Sequence, residues 1–403
     1  MSMFESIIIR NKRNPDTDKP IDLGFLAEAL IFYQSVKVIA DKAILKQLIH
    51  ECGHEILLEL IENGYLTIQY LDNGLAIQTQ NTNTPNELHH PIVYSLPKLA
   101  LDIVAPELFI EYTGKSGKGR RISQRFLRNV SSLSFDPHYL PDEVLIDYSD
   151  SNYVEQSIIH LVKNYTPEYP NPEKIKFRLY RDGKSLSVNT NIDFVMLNKF
   201  YHLRIPPEHS SISPAYLLSH LFNLRGDIYF CTTFKSEITT DPINTGIFNL
   251  KYADLLQRQK ISEDALRLFQ NFLFEDAKAV CAAINRGERT FKDLLELISK
   301  AKKFQKWLAG KEPDSNLLKE YYKEVTAGSW VDKLPAKTAR WSLFTGVGIV
   351  LDALGGGGIG TATGLAISAG DAFILDSIVR GWKPNQFVDD DLKIFVKNKP
   401  KTT

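Results

Sequence analysis

The chain is poor in cysteine, and Cys52, Cys231 and Cys281 lie far apart among apolar neighbours. No C-x-x-C pair exists, which removes the redox and zinc patterns that depend on closely spaced thiolates. Three separated thiols fit buried free cysteines in a reducing compartment. Charge bias is missing as well, since 48 basic residues balance 48 acidic ones. With no global field, attraction to nucleic acid or to an anionic surface has to come from a local patch. No serine sits in a G-x-S-x-G elbow, and no internal repeat is present. The opening MSMFESIIIRNKRNP places acidic Glu5 before a short apolar run and reads as a first strand, not a secretion signal. These absences predict a cytoplasmic protein, with membrane contact, where made, coming from that side.

What is present is a 43% hydrophobic chain of 403 residues, enough for a sizeable core in about two to four units. Apolar spacing predicts an α+β unit over 1–80, with Asp22 capping a helix at 23–32. Two further helices follow, divided at Gly53, and a hairpin turns at Asp72-Asn73-Gly74. A second α+β unit over 81–212 contains a helix or buried segment broken at Pro106, a short strand at 144–148 and a hairpin at 175–189 turning through Arg181-Asp182-Gly183. From 213 to 340 the pattern predicts a helical bundle, including helices at 262–271, 276–285, 290–308 and 316–326. The fold class expected is therefore α+β: small mixed sheets with helices first, then a mainly helical half ending in a glycine-rich hairpin over 341–388, with a polar tail over 389–403.

Two motifs suggest chemistry. His50-Glu51-Cys52-Gly53-His54 matches H-E-x-x-H; on an unbroken helix His50 and His54 could ligate zinc while Glu51 served as general base of a hydrolase. That geometry needs a helix through Gly53, and the apolar stripes on either side predict two helices instead. Gly114-Lys115-Ser116 resembles the end of a phosphate-binding loop, but Phe109 stands where the first glycine is required, so no nest of backbone donors is encoded. What remains is a cluster of cations with no acid among them: Lys115, Lys118, Arg120, Arg121, Arg125 and Arg128. Such a cluster suits a nucleotide, nucleic acid or other phosphate. The other histidines form no short-range ligand pattern.

The carboxyl-terminal stretch carries small residues four apart at Gly356, Gly360, Gly364, Ser368 and Ala372. On a helix this ladder makes a flat side that another helix can approach closely. The uncharged run 353–370 is about 27 Å long as a helix, near the hydrocarbon thickness, and Trp341 and Trp382 flank it. Against this, Asp352, Asp371 and Asp376 interrupt or border it, each costing about 2.5 to 3.5 kcal/mol at mid-membrane. The sequence therefore predicts a sensor or interaction protein without its own chemistry, whose hairpin supplies a transmembrane or re-entrant helix or drives self-association. No cofactor is expected, with zinc confined to the hydrolase alternative; nucleotide or nucleic-acid binding at 115–128 is the other.

Overall fold

The computed structural model describes residues 6–10, 19–81, 87–95, 97–234, 236–239, 243–244, 246–248, 250–251, 269–274, 280–308 and 339–344. The chain begins β1 (Ser6–Ile9), α1 (Leu23–Phe32), β2 (Ser35–Ala40), α2 (Lys42–Cys52), α3 (His54–Glu62), β3 (Leu66–Leu71), β4 (Asn73–Gln80) and β5 (Leu88–Ser95). It continues α4 (Leu101–Thr113), α5 (Ser116–Leu127), β6 (Ser131–Leu133), α6 (Tyr139–Ser149), α7 (Ser151–Tyr165), β7 (Phe177–Asp182), β8 (Ser185–Thr190), α8 (Phe194–Tyr201), α9 (Pro214–Phe234) and β9 (Glu237–Thr239). Last come β10 (Phe269–Phe274), α10 (Val280–Asn285), α11 (Phe291–Leu308) and β11 (Ala339–Phe344). A mixed β/α region is thus followed by a largely helical one, which ends in the joined pair α10 and α11.

The central layer is larger than the small sheets the sequence predicts. Five strands in the order β6-β3-β2-β1-β9 pair in parallel throughout. A parallel strand is buried on both faces, which explains the near-continuous apolar runs SIII and SVKVIA. Ile7, Ile9, Val36, Val38, Leu66 and Ile68 join the core shared with α1 to α5, α10 and α11. Ile8 and Ile39, on the opposite face, join the core of α6 to α9 and the second sheet. That second sheet is antiparallel, in the order β4-β5-β8-β7.

Local chemistry sets several boundaries as expected. Asp22 accepts a hydrogen bond from the Phe25 N–H at 2.9 Å and caps α1. Gly183, at φ 60°, turns the β7–β8 hairpin. Cys52 and Cys231 are buried free thiols, and Cys281 is partly buried.

Other expectations are corrected. Asn73 does not turn a hairpin between β3 and β4: these strands belong to different sheets, and the Asn73 amide is held by Phe135, donating to its carbonyl at 3.0 Å and accepting from its N–H at 2.9 Å. α4 runs through Pro106 without ending there. Residues 144–148 lie in α6, not in a strand, because Leu140, Val144, Leu145 and Tyr148 form one buried helical face. Residues 269–274 are a strand, so the helix expected over 262–271 does not form across them.

Nor does the apolar carboxyl-terminal stretch begin as a helix. Trp341 to Phe344 lies in β11, paired antiparallel with β10 so that Trp341 stands opposite Phe272. The expected transmembrane helix is likewise corrected, since no helix among the described residues is long and apolar enough to cross a membrane. α9 has the length at 21 residues, but Arg225 and Asp227 interrupt it and are buried in ion pairs inside the protein. The ladder Gly356, Gly360, Gly364, Ser368 and Ala372 lies outside the described residues, as do the helix expected at 316–326 and the polar tail.

A buried charged network joins α9 to α6. Arg225 donates through Nε to Asp147 at 2.8 Å and through Nη2 to the other carboxylate oxygen, with Glu143 at 3.6 Å. Lys251 also pairs with Asp147, and its ammonium lies 5.1 Å from the Tyr153 ring centre. Arg225 and Asp147 are each 4% exposed or less. Charges so removed from water persist only when paired and hydrogen-bonded.

Candidate functional site

Two concave surfaces deserve comparison, one at the carboxyl edge of the parallel sheet and one between α3 and α5. The sheet steps one way from β1 through β2 and β3 to β6, then returns to the far side of β1 with β9. In open parallel sheets, ligand crevices form outside the carboxyl ends near such a reversal. A cleft of about 230 Å³ opens at that edge, with Arg10, Asp41, Asn73, Tyr94, Phe135 and Asn223 among its walls. Its polar groups are largely committed to the fold. Arg10 pairs with buried Asp227, donates to the Asn223 carbonyl at 3.2 Å and lies 5.5 and 5.4 Å from the Phe135 and Phe230 ring centres. Asp41 caps α2 through the Ile44 N–H, and Tyr70 donates to the Leu99 carbonyl at 2.8 Å. No sequence motif marks this edge, but one signal does. Arg10, Asp41 and Asp72 each follow directly on an apolar strand, where loops at the carboxyl edge begin.

The second surface is built differently. α4 ends at Gly114, whose φ of 64° takes the left-handed cap that glycine adopts without strain. α5 then folds back so tightly that a Cβ at Gly119 would stand 2.6 Å from the backbone N and Cα of Ile110. Gly119, Ile122, Ser123 and Phe126 are its buried face. Of the remaining positions, Lys118, Arg120, Arg121 and Arg125 carry exposed cations. Lys118, Arg121, Arg125 and Arg128 fall within about 80° around the helix axis and extend about 15 Å along it. With His54 and Glu55 from α3 they line a groove of about 460 Å³.

Electrostatics within this groove is uneven. Arg125 is bound to Glu62, its Nε donating at 2.6 Å, and these hydrogen bonds hold the Glu62 carboxyl below its usual range. Lys118, Arg121 and Arg128 are exposed and have no carboxylate partner among the described residues. Partial burial lowers the His54 pKa below its ordinary value near 6.5; Glu55, 3.9 Å away, opposes this, and Lys118 adds to it. Lys115 and Arg120, the other two predicted cations, are exposed on α5 or at its start but do not line the groove.

The phosphate-loop resemblance ends as its missing glycine implied: Phe109 is buried inside α4, and Gly114 is a helix cap. The H-E-x-x-H match also fails to make one helix. Gly53, at φ 79° and ψ 142°, separates α2 from α3. The His50 and His54 rings each pack against Tyr112, at centroid distances of 5.2 and 5.4 Å. Glu51 points elsewhere and pairs with Lys19 at 2.8 Å. Among the described residues no group of three or more His, Cys, Asp or Glu side chains is arranged to hold a metal. Two imidazoles on separate helices, with no third donor among the described residues, do not fit a zinc centre.

No family model, curated protein or solved structure matches the chain.

Proposed function

We propose that the protein binds a phosphate-bearing ligand, a nucleotide or nucleic acid, in the groove between α3 and α5. One observation carries this reading: four cations of a single helix face line a concave surface, and three have no carboxylate partner among the described residues. Exposed cations of one sign repel one another on a helix, and an anion seated among them relieves that repulsion. A groove also removes part of the water that screens such contacts, which strengthens each of them. The cleft at the sheet edge offers less, because its two cations, Arg10 and Lys42, are already answered by Asp227 and Glu107.

The test is titration with inorganic pyrophosphate, ATP and a labelled oligonucleotide, using the full chain and the double variant Arg121→Glu, Arg128→Glu. At least one of these should bind the parent chain, with affinity falling steeply with salt and at least tenfold in the variant. Binding that is salt-insensitive, or equal in parent and variant, refutes the groove as the site.

Self-association through the small-residue ladder is a second reading, supported by its four-residue spacing from Gly356 to Ala372. It makes the protein an interaction module in which the groove and the ladder serve different partners. Light scattering on Gly360→Leu, Gly364→Leu should then report a smaller particle than the parent; an unchanged mass removes this reading.

A further inference from the structure

We infer that the groove takes a single strand of nucleic acid, with its phosphates along α5 and its bases toward α3. This rests on the phosphate-binding reading above and narrows it. The two walls of the groove differ in sign. α5 presents Lys118, Arg121, Arg125 and Arg128, whereas α3 presents Glu55, whose side chain is 85% exposed, with Glu62 engaged by Arg125 at one end. A duplex carries phosphates on both of its strands, so a duplex lying along α5 brings its second backbone toward Glu55 of α3. Like charges opposed in this way cost affinity. A single strand has one charged edge and one neutral edge. Its phosphates meet the cations while its uncharged base edges face Glu55, which accepts hydrogen bonds from exocyclic amino groups as carboxylates do from cytosine.

Length separates a strand from a mononucleotide. The row from Lys118 to Arg128 extends about 15 Å, and among the described residues only α3 and α5 line the groove; Gly114 is a helix cap, not part of a nest of backbone donors. Such an open row engages several phosphates in succession rather than wrapping one polyphosphate. Three to four cations, the fourth being Arg125, give a log–log salt slope of roughly −2 to −3 for a single strand. Between 50 and 200 mM salt this is a loss of roughly 16- to 64-fold.

Fluorescence anisotropy with the full chain tests the inference, using a labelled 12-nucleotide single strand, the same sequence as duplex, and ATP as competitor. The single strand is expected to bind at least tenfold tighter than the duplex, to show the salt loss above, and to resist displacement by equimolar ATP. In Glu55→Lys, which changes an exposed side chain, the duplex should gain at least tenfold and the preference should narrow. Equal or tighter binding of duplex by the parent chain, equal competition by ATP, or a Glu55→Lys variant with unchanged preference overturns the strand assignment while leaving a phosphate site in place. If oligonucleotide, ATP and pyrophosphate all fail to bind, the phosphate-binding reading itself falls.

Discussion

α5 and α9 both carry arginines, yet they use them oppositely. On α9, Arg225 is 2% exposed and meets Asp147 and Glu143, acids that α6 supplies from about eighty residues earlier in the chain. On α5, Lys118, Arg121 and Arg128 stay in water, and among the described residues only Arg125 of these finds a carboxylate, in Glu62. Removing a guanidinium from water costs several kcal/mol unless partners replace the lost hydration. The α9 charges are therefore obligatory partners of one another, whereas the α5 charges remain available. Burial decides which cation belongs to the fold and which can serve a ligand.

The strongest way to break this contrast is to remove Asp147. Asp147→Ala leaves both Arg225 and Lys251 buried without their shared carboxylate, and should cost about 3–5 kcal/mol, measured by urea unfolding. Adding Arg225→Met to that variant should restore part of the loss, because an apolar side chain of similar length has no charge to desolvate. A cost below about 1 kcal/mol for Asp147→Ala would mean that the network is hydrated, and the distinction between the two helices would disappear.

Glu28 sharpens the same contrast, because this carboxylate is answered by a backbone N–H, that of Cys281 at 2.9 Å, rather than by a cation. Desolvation pushes its pKa up to about 7, the Cys281 hydrogen bond works against that, and Asp22 adds to the rise. Unfolded, the group ionises near 4.5. Between those two values the folded chain holds a proton that the unfolded chain has released. Stability should therefore fall as pH rises from about 4.5 to about 7 and change no further above it, by an amount on the order of 3 kcal/mol. Glu28→Gln should flatten that part of the stability–pH curve; an unaltered slope would assign the effect to other groups.

How far the sequence announced these features depends on how local each one was. The cap at Asp22, the break at Gly53 and the β7–β8 turn depend on residues within a few positions of one another, and all three were legible. The cation cluster was legible too, and the spacing of Arg121, Arg125 and Arg128 puts those three on one helical face. The partners that decide its meaning were not. Glu62 reaches Arg125 across 63 positions and Asp147 reaches Arg225 across 78, so neither pairing shows in the local pattern. The parallel sheet failed for the same reason, because β9 returns beside β1 after more than two hundred residues. Asn73 shows the error in small: Asp-Asn-Gly suits a hairpin, but bonds to Phe135 gave it another role.

The close approach of α4 and α5 can be tested apart from charge. A Cβ at Gly119 meets the backbone of Ile110 and cannot be accommodated by rotating a side chain. Gly119→Ala should therefore destabilise by roughly 1–3 kcal/mol, despite the higher helix propensity of alanine, and thermal unfolding should show it. A stabilised variant would mean that α5 can lift away from α4, and the groove would lose its fixed wall.

The smallest expected effect has the opposite sign, and for that reason it separates the two helices most cleanly. Arg121 and Arg125 are four positions apart on exposed turns of α5, a spacing at which like charges repel by roughly 0.2–0.5 kcal/mol. Arg121→Gln removes that repulsion without touching the buried face, so the helix should gain a few tenths of a kcal/mol while phosphate affinity falls. Chemical unfolding and salt-dependent binding on the same preparation check both halves. A residue kept for folding cannot improve stability when it is neutralised, so a loss above about 1 kcal/mol would place Arg121 with Arg225 as a structural cation. A small gain in stability together with weaker binding is what a cation held in water for a ligand should give.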